Sequence, residues 1–406
     1  MKDPIKFPVG FWWGSATSAH QIEGDNHNDW SEWEMSPKRI ADLRSKNLDP
    51  KDYISGKACD SYNRYREDFD IAQKLNQNIH SFSIEWSRIE PEEGKFNEEA
   101  MQHYVDVVNG LRARGLEPLV KLWHFTNPVW FSQKGGFLNN KSPEYFRRYA
   151  RYVAENLKNQ VKFWATFNEP TTIYSTFAYL KGLWPPHKHN PVSYFITNRH
   201  FVKAHIVAYQ EIKSMSHNVE VGFIENNAYV VIGRGFLKQI VGKIYNYFRN
   251  TRFIKKVVPY SDFIGLNYYN VDRKIFKNFN ILPKQKLIAS KNWEIYPRGI
   301  YDRLKDLRRF DKPLFITENG IPNVTNEERT EFINEHLYWI WRAIQDGVDV
   351  RGYLYWSLLD NFEIVDGFPI RFGLVEIDYA TFERKIRPSA MEYAKICKSN
   401  ELLLND

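Results

Sequence analysis

The amino-acid sequence predicts an α/β protein, a single (β/α)8 TIM barrel with long loops over its carboxyl-terminal face. Three observations lead there. Apolar, β-prone runs alternate with amphipathic helical patterns eight times along the chain, and such alternation implies parallel strands joined by crossover helices that can close on themselves. No linker rich in Gly, Ser or Pro and no low-complexity segment divides the 406 residues, so one domain over residues 1–406 is expected, a length that α/β barrels reach as a single unit. The run 314–320 ends abruptly in Glu318, Asn319 and Gly320. A carboxylate at the lip of a buried strand is either paired with a cation or positioned for chemistry.

Taken in order, residues 11–20 form the first strand candidate and deliver Gln21 and Glu23 to its end. A helical pattern over 60–75 leads to a second strand at 78–86. Asn97 reads as an N-cap, with Glu98 and Glu99 in the positively polarised first turn. Met101, Tyr104, Val105, Val108 and Leu111 then mark one apolar face, and Gly115 ends the helix. Strand three covers 116–125. Ser142-Pro143-Glu144 opens a helix whose inward stripe is Phe146, Tyr149, Ala150, Val153 and Leu157. Strand four, 162–170, ends in Asn168 and Glu169; a helix over 198–214 leads to strand five at 219–226, and strand six covers 261–269. After strand seven, 314–320, a helix begins near Asn326 with Ile333, Leu337, Ile340, Trp341 and Ile344 inward and Gly347 past its end. Strand eight covers 351–357, and a last helix starts near Pro388. A barrel of this kind takes roughly 250 residues, so the surplus falls in loops, the longest being 21–59, 170–194, 271–296 and 357–386. An open doubly wound sheet predicts a phosphate-cradling glycine pattern after the first strand, and Trp13-Gly14-Ser15-Ala16-Thr17 does not supply one.

Composition narrows the function. Hydrophobic residues at 43% and charged residues at 26% suit a globular core. The 16% aromatic content, with 13 Trp, 24 Tyr and 28 Phe, raises the expectation of a ligand cleft in which rings stack on bound rings. A net charge of +7 and a pI near 9.0 could serve an anionic partner. The basic residues are scattered, however: Arg147, Arg148 and Arg151, and Arg303, Lys305, Arg308 and Arg309, have the spacing of solvated helix faces, and no nucleic-acid partner is expected. Cys59 and Cys397 make neither a disulfide framework nor a metal signature. Residues 1–4 lead directly into folded-looking sequence, with no apolar signal core and no run of about 18 apolar residues. No membrane partner is expected, and the default location is the cytoplasm.

If the strands end at one face, their terminal polar residues converge: Gln21, His124, Asn168 with Glu169, Asn267 with Tyr269, Glu318 and Trp356. Two glutamates across a mouth lined with amides and aromatics suit cleavage of a glycosidic bond, where one carboxylic acid protonates the leaving oxygen while the other attacks the anomeric carbon or activates water there. Metal-dependent hydrolysis fits less well, because the histidines do not fall at ligand spacing with these acids. His187 and His189 read as a surface loop. No cofactor is required.

The strings SIEWSRI (83–89), TFNEP (166–170), GLNYY (265–269), ITENG (316–320) and WSLLDNFE (356–363), occurring in this order, resemble the motifs of glycoside hydrolase family 1, the retaining β-glucosidases and β-galactosidases. The resemblance spans nearly the whole chain. It implies that Glu169 is the general acid/base and Glu318 the nucleophile, with carboxyl groups about 5 to 5.5 Å apart as retention requires. It further implies that Asn168 holds the sugar 2-hydroxyl, that Gln21, His124 and Glu363 bind other hydroxyls, and that Trp356 forms the pocket floor. Tyr269 orients Glu318, Asn267 lies close to the acid/base, and Trp293 is an aglycone-side aromatic. The bland rivals are a structural ion pair for the glutamates, a satisfied core histidine for His124, an ordinary packed ring for Trp356, and core or loop packing for Trp293 and Trp184.

The chain departs from the family pattern at three places. Ser81-Phe82-Ser83 stands where most members resemble Arg-Phe-Ser, so the arginine beside the nucleophile is missing. Ile364 follows Glu363 where a Trp usually adds a sugar contact, and Phe125 follows His124 where Trp is frequent. Loss of the cation is expected to raise the pKa of Glu318 and weaken its positioning. The expected activity is therefore a retaining β-glycosidase on small β-glucosides, β-galactosides or β-fucosides. Two alternatives stand beside it: a weakly active or inactive sugar-binding protein on the same scaffold, and a 6-phospho-β-glycosidase. The second is disfavoured because residues 366–373 lack the Ser and downstream Lys-x-Tyr group of those relatives.

Overall fold

The structure, a computed structural model, describes residues 4–403 apart from 158, 217, 233–234, 273–286 and 289–292; for 287, 288 and 293 it describes the backbone only. Eight parallel strands close into a barrel in chain order: β1 (Trp12–Ala16), β2 (Ile79–Ser83), β3 (Glu117–Lys121), β4 (Phe163–Asn168), β5 (Glu220–Asn226), β6 (Phe263–Asn267), β7 (Leu314–Asn319) and β8 (Val350–Trp356), with β8 pairing back onto β1. The main crossover helices are α1 (Ser61–Lys74), α2 (Glu98–Arg112), α3 (Ser142–Leu157), α4 (Pro191–Met215), α5 (Phe236–Asn246), α6 (Arg252–Val257), α7 (Arg298–Leu307), α8 (Asn326–Gln345) and α9 (Pro388–Ser399).

Two apolar layers hold this arrangement. Inside the barrel Ile79, Leu119, Phe163, Ile224, Phe263, Phe315 and Leu354 pack with Trp12, and the rings of Phe163, Phe263 and Phe315 meet at centroid distances of 5.3 to 6.3 Å. Side chains from different strands thus fill the axis, making the barrel a plugged core and leaving only its upper end open for chemistry. Outside, the inward helix faces cover the sheet. Phe146, Tyr149, Ala150, Val153 and Leu157 of α3 are all buried as their periodicity predicts, and so are Ile333, Leu337 and Ile340 of α8. The helix starts follow local chemistry. The Asn97 side chain accepts from the Ala100 amide at 3.0 Å, and Thr325 with Glu328 forms a reciprocal capping box ahead of α8.

Several expectations need correction. The strands are shorter than their apolar runs. The first stops at Ala16, so that residues 19–22 form one helical turn that carries Gln21, and the second stops at Ser83 before a turn over Trp86–Ile89. Helix α4 begins at Pro191, seven residues before the expected 198, because Asn190 caps it through the amides of Val192 and Ser193 and Pro191 fits its first turn. The alternation does not anticipate α5, whose Phe236, Leu237, Val241 and Ile244 point outward and are exposed. In α2 it is Val107, and not Val105, that is buried alongside Tyr104 and Val108, while Trp341 and Ile344 of α8 are only half-buried. Arg303 is buried, donating to Asn246 and pairing with Asp306, and Arg148 pairs with the buried Glu90. These two arginines therefore organise packing and are not parts of a fully solvated face. Among the described residues no helix is long and apolar enough to cross a membrane.

Candidate active site

The carboxyl-terminal ends of the strands open into a cavity of about 1200 Å³. Of the expected site residues, Gln21, His124, Asn168, Glu169, Tyr269, Glu318, Trp356 and Glu363 all line it. Asn267 is fully buried behind this wall. Trp293 is placed by its backbone only, in a short strand with Glu294; the expectation for its side chain lies outside the described residues. Trp184 does both things weighed for it, packing against Trp30, Phe125 and Phe177 and lining the cavity.

Glu169 and Glu318 are both nearly inaccessible, yet their partners differ. Glu169 follows β4 in the left-handed backbone region, φ +48°, which few non-glycine residues adopt and which marks a constrained site. One of its oxygens, Oε1, accepts from the amides of both Asn226 and Asn267, each at 2.9 Å. Those amides are themselves fixed. Asn267 also donates to Asn168 Oδ1 at 3.2 Å and accepts from the Thr317 hydroxyl at 2.8 Å, and Arg249 holds Asn226 through its carbonyl and side-chain oxygens. Burial raises the Glu169 pKa, opposed by the Asn267 and Asn226 amides and then by Arg249 and Lys121.

Glu318, on β7, has the opposite kind of neighbourhood. Its Oε2 accepts from the Tyr269 hydroxyl at 2.8 Å, and its Oε1 lies 3.7 Å from the Nζ of Lys121 at the end of β3. Burial raises the Glu318 pKa, Lys121 is the largest opposing influence, and the Glu169 charge adds to the rise. The expectation that Glu318 lacks a cation is thereby corrected: Ser81 brings none, but Lys121 does, from the strand beside that of Ser81.

The other polar groups of the cavity are held in place by one another. The Ser18 hydroxyl donates to Gln21 Oε1 at 2.7 Å and the Gln21 amide donates to Asn361 at 2.9 Å. Asn168 Nδ2 lies 3.4 Å from His124 Nε2. Burial and then the Lys121 charge push the His124 pKa well down, so this ring is neutral. The Trp356 indole donates to Glu363 Oε1 at 3.1 Å and its ring stacks with that of His124 at 5.8 Å. Among the described residues no group of three or more His, Cys, Asp or Glu side chains is placed to hold a metal ion; His187 and His189 are exposed.

Sequence reasoning did not single out Asn226, Arg249, Thr317 or Lys121. Asn226 could have been found by the rule that found Asn168, a polar residue closing an apolar strand. Lys121 could have been found by the rule that found Glu318, since Leu119-Val120-Lys121-Leu122 puts a charge inside an apolar run.

Two buried carboxylates with unlike partners, facing one polar and aromatic cavity at the top of a (β/α)8 barrel, make a glycoside hydrolase site. The chain belongs to glycosyl hydrolase family 1, whose profile matches residues 3–232 and 248–402. A 1,4-beta-D-glucan glucohydrolase of Thermotoga neapolitana is 31% identical over 98% of this chain and 99% of its own. A beta-galactosidase of Sulfolobus acidocaldarius is 30% identical over 98% of this chain and 96% of its own. In structure, a beta-glycosidase from Pyrococcus horikoshii superposes with a TM-score of 0.89 at 39% identity, over 99% of this chain and 97% of its own. A beta-glucosidase from Thermotoga maritima in complex with glucoimidazole does so with a TM-score of 0.88 at 29% identity, over 98% and 100%.

Proposed function

We propose that this chain is a retaining β-glycosidase of the β-glucosidase type, with β-galactosidase and β-fucosidase side activity, that removes terminal β-linked sugars through a covalent glycosyl-enzyme. The observation that carries this reading is the unlike surroundings of Glu169 and Glu318 at one cavity. Burial raises both carboxyl groups, Glu318 to about 8; on this reading the proton belongs to Glu169, whose Oε1 meets two neutral amides, and the charge to Glu318, the carboxylate that the buried Lys121 ammonium faces. In the first step a Glu318 oxygen bonds to the anomeric carbon and the glycosidic C–O bond breaks. The electron pair leaves with the aglycone oxygen, which takes the proton of Glu169. In the second, Glu169 as carboxylate takes a proton from water, the water oxygen bonds to the anomeric carbon, and Glu318 departs with its electron pair.

Asn168 serves the 2-hydroxyl, Gln21, His124 and Glu363 serve the other hydroxyls, and Trp356 offers its face to the sugar. Tyr269 orients Glu318. Asn267 acts through Glu169 and is a positioning residue. The cavity wall also carries the apolar Phe177, Leu180, Phe195 and Phe248, alongside Lys181 and Arg249, and those apolar side chains support small β-glycosides with aryl or alkyl aglycones as substrates.

Hydrolysis of nitrophenyl β-glucoside, β-galactoside and β-fucoside by the wild type and by Glu318→Ala tests the reading. It predicts turnover with net retention in the wild type and its loss in the variant. Equal background rates for the two proteins would contradict it.

A further inference from the structure

A buried carboxylate that has to act as an anion needs a counter-charge, because burial favours its neutral form. We propose that Lys121 is the positioning residue that keeps Glu318 ionised and aimed at the anomeric carbon, supplying from β3 the cation that position 81 on β2 lacks. The inference rests on the glycosidase reading above and deepens it.

Four observations carry it. The Lys121 side chain is wholly buried and its ammonium lies 3.7 Å from Glu318 Oε1. The second carboxylate oxygen is occupied by the Tyr269 hydroxyl at 2.8 Å, so groups from two different strand ends fix the two oxygens and hence the plane of the carboxylate. Neither Lys121 Nζ nor Glu318 Oε1 has a hydrogen-bond partner among the described residues, which leaves each as the other's nearest compensation. The ammonium also lies 5.6 Å from the centre of the Trp356 ring, a cation–π placement that ties the same charge to the sugar floor.

The neighbouring strand completes the case. Ser83 is the register partner of Lys121, and Ser81 lies two residues earlier on the same strand. Ser81 is wholly buried and its hydroxyl has no hydrogen-bond partner among the described residues. A small side chain at 81 thus accompanies a long cationic one at 121. The two positions together hold one positive charge, and Lys121 carries it.

The exchange has a consequence that an arginine lacks. A guanidinium keeps its charge throughout the working range, whereas burial lowers the Lys121 pKa, with Glu318 and Glu169 opposing the fall. The other titratable groups facing the pair are Glu363, Tyr269, His80 and His124. Both histidines are held neutral by burial and by the Lys121 charge itself, so the charges that govern the pair are those of Glu169 and Glu363. At high pH, where Lys121 gives up its proton, Glu318 remains an anion but loses the charge that aims it.

The test measures the pH dependence of covalent labelling by a dinitrophenyl deoxyfluoro-β-glucoside, a leaving group that needs no proton from Glu169. Its rate therefore reports Glu318 alone. Wild type, Lys121→Met, Lys121→Arg and the double variant Ser81→Arg/Lys121→Thr are compared, each with its thermal transition. Removing the cation raises the Glu318 pKa, so Lys121→Met moves the acidic limb upward by about one pH unit or more. It also slows labelling on the order of 10²-fold, the scale for one preorganised electrostatic partner. Lys121→Arg and the double variant recover most of the rate and return the acidic limb toward its original position, even if the single methionine variant folds poorly. Lys121→Met labelling at the wild-type rate with an unmoved acidic limb overturns the proposal. So does a folded double variant that recovers nothing. Labelling absent from the wild type as well speaks instead against the glycosidase reading on which the proposal rests.

Discussion

The two glutamates occupy the same cavity, are equally hidden from water, and have been given different neighbours. Around Glu169 the protein places neutral amides, Asn226 and Asn267, on one oxygen, with the nearest guanidinium set one residue back on Asn226. Around Glu318 it places an ammonium and a phenol, one on each oxygen. The two amides that donate to Glu169 oppose the rise caused by burial without bringing a net charge, whereas the ammonium beside Glu318 opposes it with a full one. On the proposed reading, the partner groups and not burial alone distinguish the acid from the nucleophile.

The largest effect that can break this comparison comes from removing Glu318. Glu318→Ala is expected to lower kcat/KM on the order of 10⁴-fold for every leaving group, measured with nitrophenyl and alkyl β-glucosides side by side. Glu169→Gln separates the roles. Its loss is about 10²- to 10⁴-fold on an alkyl glucoside that needs a proton, and far smaller in the glycosylation step of a dinitrophenyl glucoside. Equal losses on both substrates would place Glu169 outside the acid role.

How much of this was legible in the sequence follows from what each residue depends on. The strands, the inward faces of α3 and α8, and the two glutamates are written in local patterns: an apolar run, a helical stripe, a carboxylate where the run stops. The partners of those glutamates come from other strands, and no local pattern states which strand ends meet. Thus Ser81 reads in the sequence as a missing cation, and only the closure of the barrel shows Lys121 reaching the same carboxylate. Helix α5 escaped for the reverse reason, since its apolar residues point outward and a stripe that does not face the core does not mark a crossover. The backbone at Ile364 is a third case. This β-branched residue sits at φ +50° beside the sugar site, a conformation that its side chain disfavours and that its identity does not announce.

Smaller effects sharpen the comparison at its edges. Ile364→Trp adds a ring to the wall next to Glu363 and is expected to lower KM for β-glucosides by about threefold to tenfold, a gain consistent with burying part of an aromatic face; the check is kcat and KM measured separately. Phe248→Ala removes part of the apolar cavity wall. It is expected to raise KM for an octyl glucoside by a few fold, of the order of one or two buried methylenes, while leaving that for methyl glucoside nearly unchanged.

The most direct measurement compares the bell-shaped pH profiles of kcat/KM for Lys121→Met and Asn226→Ala on one unactivated aryl β-glucoside. Activity appears as Glu318 loses its proton and disappears as Glu169 and Lys121 lose theirs. Lys121 holds the Glu318 pKa down, so the methionine variant should move chiefly the acidic limb upward. Asn226 holds the Glu169 pKa down, so the alanine variant should move the alkaline limb upward and leave the acidic limb in place. Profiles in which both substitutions shift the same limb, or in which neither shifts any, would contradict the assignment of the two carboxylates by their neighbours.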